Sequence, residues 1–377
     1  MGIYKKINIG IFTTSRSEFG IMRPFIHQLK KNKKFNIMLF VGGSHLNTQY
    51  GKTVNEIYKS KIKIKDFFFY KQNKTKNLDI SYSLSDANLK LAKLFSNYNF
   101  KYLIIFGDRL DLIPIISNSI IYKKKIIHVG GGETTLGAID NTIRNLVSCA
   151  SNIHFTCHDQ YSNKLKKLNI RQNVYNVGSL SVDAIKSLKI KLNKNEICKK
   201  LNLDVNLPIV SMTYHPATNE NGISIRKKLN NIFKALNKFN FNLVITGSNF
   251  EEGSEIVEKI IYEQIQKKKN YKYIKSLGFD NYQNLIANSD FLIGNSSSGI
   301  MEAPYYKVPS INVGSRQQGR VKHISVVDTK TDVVSIVSSI NLVLLRKFKN
   351  KIKNMKYNFG SGNSANKKIS ILKKILK

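Results

Sequence analysis

Ten short apolar runs are separated by segments whose apolar residues recur three or four positions apart. The runs are INIGIFTT (7–14), NIMLFV (36–41), YLIIF (102–106), IIHV (126–129), NIHFT (152–156), VYNV (174–177), IVSMT (209–213), NLVIT (242–246), DFLIG (290–294) and SINV (310–313). Continuous rather than alternating apolarity predicts strands buried on both faces. Strands of that kind alternating with helices predict an α/β fold built on parallel sheets. The alternation breaks at the Lys/Asn-rich stretch 186–206 and restarts with a strand after Pro208. The break predicts a linker between two doubly wound, Rossmann-like domains, 1–186 and 207–350, whose strand carboxyl ends face a cleft. The segment NSANKKISILKKILK is amphipathic at helical spacing and predicts a docking helix over about 360–377; a membrane-surface helix is the weaker alternative.

A length of 377 residues agrees with two domains. The charge is one-sided, with 61 basic against 24 acidic residues and a formal net charge of +37. That excess raises nucleic acid, a membrane surface or an anionic substrate as partners. Of the basic residues only nine are Arg and 52 are Lys, spread along the chain among many Asn and Ile. Nucleic-acid readers rely on Arg forks, so the excess reads as background composition and no nucleic-acid partner is expected. Cys149, Cys157 and Cys198 have neither metal-ligand nor disulfide-framework spacing, which fits a reducing compartment. No apolar run approaches the ~18 residues of a membrane span, and the first residues lack a signal-peptide pattern, so a soluble cytoplasmic protein is expected.

The candidate chemistry lies where predicted strands end. TTSRSEFG (13–20) puts Arg16 at the start of a helix, either as an anion ligand or as a surface ion pair. FGDRLD (106–111) puts Asp108 after a strand, as a helix cap or as a catalytic carboxylate, with Arg109 available to pair with it. HVGGGETTLGAIDNTIRN (128–145) is the densest cluster. Its three glycines suggest close backbone approach to a ligand, Glu133 and Asp140 form a carboxylate pair suited to acid/base work, and Asp140 and Arg144 share a helix face. His215 ends the strand of MTYHPATN. In GNSSSGIMEAP (294–304), the helix N–H groups with Ser296, Ser297 and Ser298 would bind a diphosphate, and Glu302 a ribose. Arg316 and Arg320 follow in NVGSRQQGR. There is no dinucleotide fingerprint, Walker A run, zinc spacing or GxSxG elbow, so an anionic nucleotide handled without a metal or redox cofactor is expected.

Taken together, TTSRSEFG, VGGSHLNTQYGKTVNEI (41–57), FGDR, HVGGGETTLGAID..IR, TYHPAT, GNSSSGIMEAP and INVGSRQQGR resemble the hydrolysing UDP-N-acetylglucosamine 2-epimerases of sialic-acid biosynthesis, in the family's order over about residues 7–325. The resemblance implies two Rossmann-like domains of glycosyltransferase-B type, a nucleotide-sugar in the cleft, a C-terminal helix returned to the first domain, a homo-oligomer (dimer or tetramer) and no cofactor. It implies anti-elimination of UDP to a 2-acetamidoglucal, followed by hydration to N-acetylmannosamine. Asp108 and Asp140 would be the acid/base groups. Ser296–Ser298 would hold the diphosphate and Glu302 the ribose, while Arg16, His45, His215 and Arg316 would line the phosphate and sugar sites. Two positions depart from the pattern: Gly130 stands where many members have Glu or His, and Asn145 follows Arg144 where His is usual. Close relatives act on N,N'-diacetylbacillosamine nucleotides, and a retaining glycosyltransferase of the same architecture is the alternative class.

Overall fold

The computed structural model describes residues 6–48, 53–70, 76–217, 222–248 and 251–376. The chain divides into two compact units. The first comprises Met1–Glu133, Asp140–Ser187 and Phe359–Lys377, and the second Thr134–Ile139 and Leu188–Asn358.

The first unit holds a seven-stranded parallel sheet of β1 (Ile7–Thr13), β2 (Phe35–Gly42), β3 (Ile64–Phe68), β4 (Tyr102–Phe106), β5 (Lys125–Val129), β6 (Ile153–Thr156) and β7 (Val174–Asn176), in the order β3-β2-β1-β4-β5-β6-β7. Both faces are covered, which is why its central strands are mostly apolar, β4 (YLIIF) without interruption. Ile9 and Ile11 of β1, with Tyr102 and Ile104 of β4, enter one core. Phe12, Leu103 and Ile105 enter the other, where the ring of Phe12 lies 4.9, 5.5 and 6.0 Å, centroid to centroid, from those of Phe40, Phe95 and Phe100.

The second unit repeats the plan with β8 (Ile209–Thr213), β9 (Asn242–Thr246), β10 (Tyr271–Ile274), β11 (Phe291–Gly294), β12 (Ser310–Val313) and β13 (Val326–Thr329), ordered β10-β9-β8-β11-β12-β13 and parallel throughout. In each sheet the chain order reverses beside the first strand of the unit, between β1 and β4 and between β8 and β11. A crevice opens at such a point because the connections on its two sides leave toward opposite faces.

Strands β3, β10 and β13 were absent from the sequence pattern, and each lies at a sheet edge. Edge strands are half exposed, so their sequences (IKDFF, YKYI and VVDT) carry charge and never form a continuous apolar run. The Lys/Asn-rich stretch read as a linker holds a helix, Lys194–Leu201, started by a reciprocal capping box between Asn193 and Glu196. Its Ile197 and Cys198 pack on Ile209, Val244 and Leu285 of the second unit.

The helix Ser364–Ile375 belongs to the first unit, where Ala365, Ile369 and Leu372 join the same core as Phe25 and Leu180. Both of its ends are met by opposite charge. The Asp183 carboxylate accepts from the N–H groups of Ser364 (3.1 Å) and Ala365 (2.9 Å), and Lys34 Nζ donates to the carbonyls of Lys373 (2.6 Å) and Leu376 (2.9 Å). That arrangement complements the helix dipole and satisfies terminal backbone groups left without intrahelical partners.

Candidate functional site

The crevice-forming ends of the first sheet carry three linked groups of polar residues. Between β1 and the helix Arg16–Lys31, the buried Glu18 reaches back to accept from Thr14 N–H (2.9 Å) and Thr14 Oγ1 (3.2 Å), fixing the turn that presents Arg16. Burial raises the Glu18 pKa to about 7 despite the opposing charge of Arg109, whose Nε lies 3.5 Å away. Arg109 also reaches Asp111 (3.2 Å), and Asp111 accepts from Tyr70 Oη (2.5 Å).

Asp108 therefore is not held by its neighbour Arg109, nor does it cap the next helix, whose N-cap is Asp111. Its carboxylate is bound by Arg144, 36 residues further along. The reason lies in the helix Asp140–Ala150. Ile143 and Val147 seat it in the aromatic core, and this turns the adjacent positions Arg144 and Ser148 inward as well. Arg144 is 1% exposed and also donates to the Glu133 carbonyl (3.0 Å), which takes a second bond from Lys164 Nζ (3.0 Å). Burial and then the Arg144 charge lower the Lys164 pKa. Cys157 Sγ lies 3.6 Å from the Glu133 carboxylate. Asp140 opens the same helix, so Asp108, Glu133 and Asp140 are all positioned through this one element.

His128 braces the same assembly from below. Its Nε2 bonds the Gly107 carbonyl (2.8 Å) and its Nδ1 pairs with Ser148 Oγ (3.2 Å), tying the Asp108 turn to the Arg144 helix. Burial drives its pKa down to about 3, so the ring is neutral; Nε2 carries the hydrogen and Ser148 donates to Nδ1.

Two of the three glycines have a packing explanation in addition to any ligand. A Cβ on Gly131 would sit 3.0 Å from His128 Nδ1, and one on Gly132, where φ is +79°, would sit 2.2 Å from the Tyr161 carbonyl oxygen. Gly132→Ala is accordingly expected to cost at least about 1–3 kcal/mol. A urea midpoint equal to that of the parent would show that the turn relaxes freely.

His45, expected among the residues lining the phosphate and sugar sites, is held from both sides of its ring. Its ring is fully buried, with Nε2 on Thr13 Oγ1 (3.0 Å) and Nδ1 on Thr53 Oγ1 (2.9 Å). Burial, reinforced by the Arg109 charge, lowers its pKa to about 3. It is a neutral tether between β1 and the segment after β2. Residues 49–52 of that motif, and Thr218 of TYHPAT, lie outside the described residues.

In the second unit the ends of β8 and β11 are clamped together. His215 N–H donates to Asn295 Oδ1, and Asn295 Nδ2 returns a bond to the His215 carbonyl, both at 2.7 Å. Gln317 Nε2 (2.9 Å) and Arg316 (3.4 Å) donate to the Asn295 carbonyl. Glu251 Oε1 accepts from Arg316 (3.4 Å) and lies 3.9 Å from His215 Nδ1. Asn295 and Glu251 were not singled out from the sequence, although Asn295 stands inside the GNSSSG run.

The serine loop differs from the expectation in one respect. The helix that follows, Ser298–Met301, is only four residues long, and the N–H groups of Gly299, Ile300 and Met301 bond back to Ser296 and Ser297 carbonyls. The donors left for an anion are hydroxyls more than a helix terminus. Gly294 is obligatory here, since φ is +138° and a Cβ would lie 2.0 Å from the Thr213 carbonyl oxygen. Glu302, buried just after the turn, takes its place by a backbone bond to Ser298.

Two reversed-order parallel sheets, one ending in carboxylates around a buried arginine and the other in a hydroxyl-glycine loop, define a protein of glycosyltransferase-B type. The fold matches that of the UDP-GlcNAc 2-epimerase of Neisseria meningitidis bound to UDP-GlcNAc, with a TM-score of 0.82 and 19% identity over 98% of this chain and 100% of that one. The family model for UDP-N-acetylglucosamine 2-epimerase matches residues 27–373, and the chain belongs to that family. It is 31% identical to the hydrolysing GDP/UDP-N,N'-diacetylbacillosamine 2-epimerase of Campylobacter jejuni, over 86% of this chain and 85% of that protein. It is 29% identical to the polysialic acid biosynthesis protein P7 of Escherichia coli, over 97% and 93%. No helix among the described residues is long and apolar enough to cross a membrane.

Proposed function

We propose that the protein is a hydrolysing 2-epimerase of a UDP-linked 2-acetamido sugar, converting UDP-N-acetylglucosamine and water into N-acetylmannosamine and UDP. The observation that carries the proposal is the Asp140–Ala150 helix, which brings an acid at its first residue and, through Arg144, a second carboxylate on Asp108. The reaction needs both kinds of group. A base removes the weakly acidic C2 proton, its electron pair forms the C1–C2 double bond, and the C1–O bond breaks to release UDP. Water then adds its oxygen to C1 of the 2-acetamidoglucal while a proton returns to C2 from the opposite face.

In this reading Asp108 and Asp140 exchange the protons, assisted by Glu133, and Arg144 orients Asp108. The loop Ser296–Ser298 holds the diphosphate through the Ser296 and Ser297 hydroxyls, with Ser298 behind Ser296 and with His215 and Arg316 beside it; Glu302 binds the ribose, and Arg16 supplies an anion contact. The C. jejuni relative supports a second reading, the same chemistry on the N,N'-diacetylbacillosamine nucleotide.

The test is incubation with each nucleotide-sugar in D2O without any acceptor, followed by NMR. Release of UDP together with free 2-epimeric sugar carrying deuterium at C2 is expected. Retention of the C2 proton, or turnover that depends on an added acceptor, would place the protein among glycosyltransferases instead.

A further inference from the structure

A row of five hydroxyls runs behind the serine loop of the second unit. Thr246 Oγ1 on β9 lies 2.5 Å from Thr213 Oγ1 on β8. Thr213 Oγ1 lies 3.2 Å from Tyr282 Oη, on the helix Phe279–Ala287, and Tyr282 Oη lies 2.7 Å from Ser298 Oγ. Ser298 Oγ donates to Ser296 Oγ at 3.1 Å.

A hydroxyl has one hydrogen to give, and this settles the direction of the whole row. Ser298 gives its hydrogen to Ser296, so in the Tyr282 contact Ser298 must accept and Tyr282 donate. Tyr282 then accepts from Thr213, and Thr213 from Thr246. The row ends on Ser296 Oγ, which also accepts from Ser298 N–H (3.4 Å). With its oxygen engaged by two donors, Ser296 can use its own hydrogen only as a donor, and among the described residues no acceptor takes it.

We propose that Tyr282, backed by Thr213 and Thr246, is a positioning residue that commits the Ser296 hydroxyl to donating toward a phosphate oxygen of the nucleotide. The proposal rests on the epimerase reading for its ligand, but it adds what that reading lacks: a reason for the loop to be an anion site when its helix is a single turn. A serine hydroxyl free to rotate offers an anion its lone pairs as readily as its hydrogen. One whose lone pairs are filled from behind offers the hydrogen, and each donor in a row polarises the next. The ring of Tyr282 packs between two apolar clusters, one with Leu285 and one with Ile286, so the hydroxyl is held where it is by the core.

Tyr282→Phe keeps that packing and removes only the hydroxyl. Titration calorimetry with UDP and with uridine separates a phosphate effect from general damage. The expected result is UDP affinity weakened about two- to tenfold, the scale of one hydrogen bond, with uridine affinity unchanged. Ser296→Ala is expected to weaken UDP binding likewise, and the double variant to be no weaker than the worse single one, since both break one row. UDP binding by Tyr282→Phe equal to the parent's, an equal loss for uridine, or additive losses in the double variant would each overturn the proposal. A parent protein that binds UDP no more tightly than uridine would overturn the underlying functional reading, and the proposal with it.

Discussion

Asp140→Asn is expected to lower turnover by about 10²–10⁴-fold, the usual contribution of a positioned general acid or base, while UDP affinity changes by less than about twofold. The two effects separate because Asp140 starts a helix of the first unit, whereas the proposed diphosphate donors lie on the serine loop of the second. The substitution is nearly isosteric, and Asp140 is half-buried, so the fold is expected to survive it. Release of UDP measured in single turnover, beside calorimetric UDP binding, tests both halves of the expectation. Normal turnover by Asp140→Asn would move the acid/base role to Asp108 and Glu133. Loss of UDP binding with turnover would mean that the helix, and not the carboxylate alone, had been disturbed.

The second large effect is acid lability. His45 and His128 have folded-state pKa values of about 3 and His154 about 4, each lowered chiefly by burial from an ordinary value of 6.5. In each case the unfolded chain takes up the proton first as pH falls. The stability these rings allow is therefore complete above about pH 6.5 and declines toward the folded values, at about 1.4 kcal/mol per pH unit for each ring. Glu18 acts in the opposite sense. With its pKa raised to about 7, the folded state holds a proton that the unfolded state has lost, so acidification from pH 7 toward 4.5 adds stability. The balance is about two protons, or about 3 kcal/mol per pH unit between pH 6 and 4.5. His128 and His154 face each other across β5 and β6, so the charge of one opposes protonation of the other. Urea midpoints at several pH values measure the slope. His154→Phe is expected to lower it by about one proton and Glu18→Gln to raise it by about one. A midpoint that does not change from pH 6.5 to 4.5 would mean that these rings are not buried neutral in solution.

The central strands were legible because burial on both faces leaves a mostly apolar run, as was the edge strand β7, whereas the charged edge strands β3, β10 and β13 were not because exposure interrupts the run. A similar distinction applies to the candidate site. Its residue types were legible at strand ends: Asp108, Glu133, Asp140, Ser296, Ser298 and Arg316 all stand where a doubly wound sheet puts its polar groups. Their partners were not. Asp108 is held by an arginine 36 positions away, and Arg109, adjacent to it, is drawn to Glu18 and Asp111. Sequence spacing reports neighbours along one helix and carries no information on which of two arginines a fold will turn inward. The partners of His45 were hidden for a related reason: nothing in a glycine-serine turn shows that Thr13 and Thr53 will occupy both ring nitrogens. The serine loop was recognised by composition, while the length of its helix was set by Glu302 and Pro304, where the chain tightens into the turn Ala303–Tyr306.

The return of Ser364–Ile375 to the first unit has a consequence for how the molecule is made. During translation the ribosome produces β1 to β7 early, yet the helix that closes the core around Phe25, Leu29 and Leu180 is made only after the whole of Leu188–Asn358. A nascent first unit must wait with that apolar seam open while an entire second sheet emerges and folds. Exposed surface of that kind is what chaperones bind and what drives aggregation at high expression. Slowed synthesis or raised chaperone levels should therefore improve the yield of soluble protein more than any change confined to the second unit.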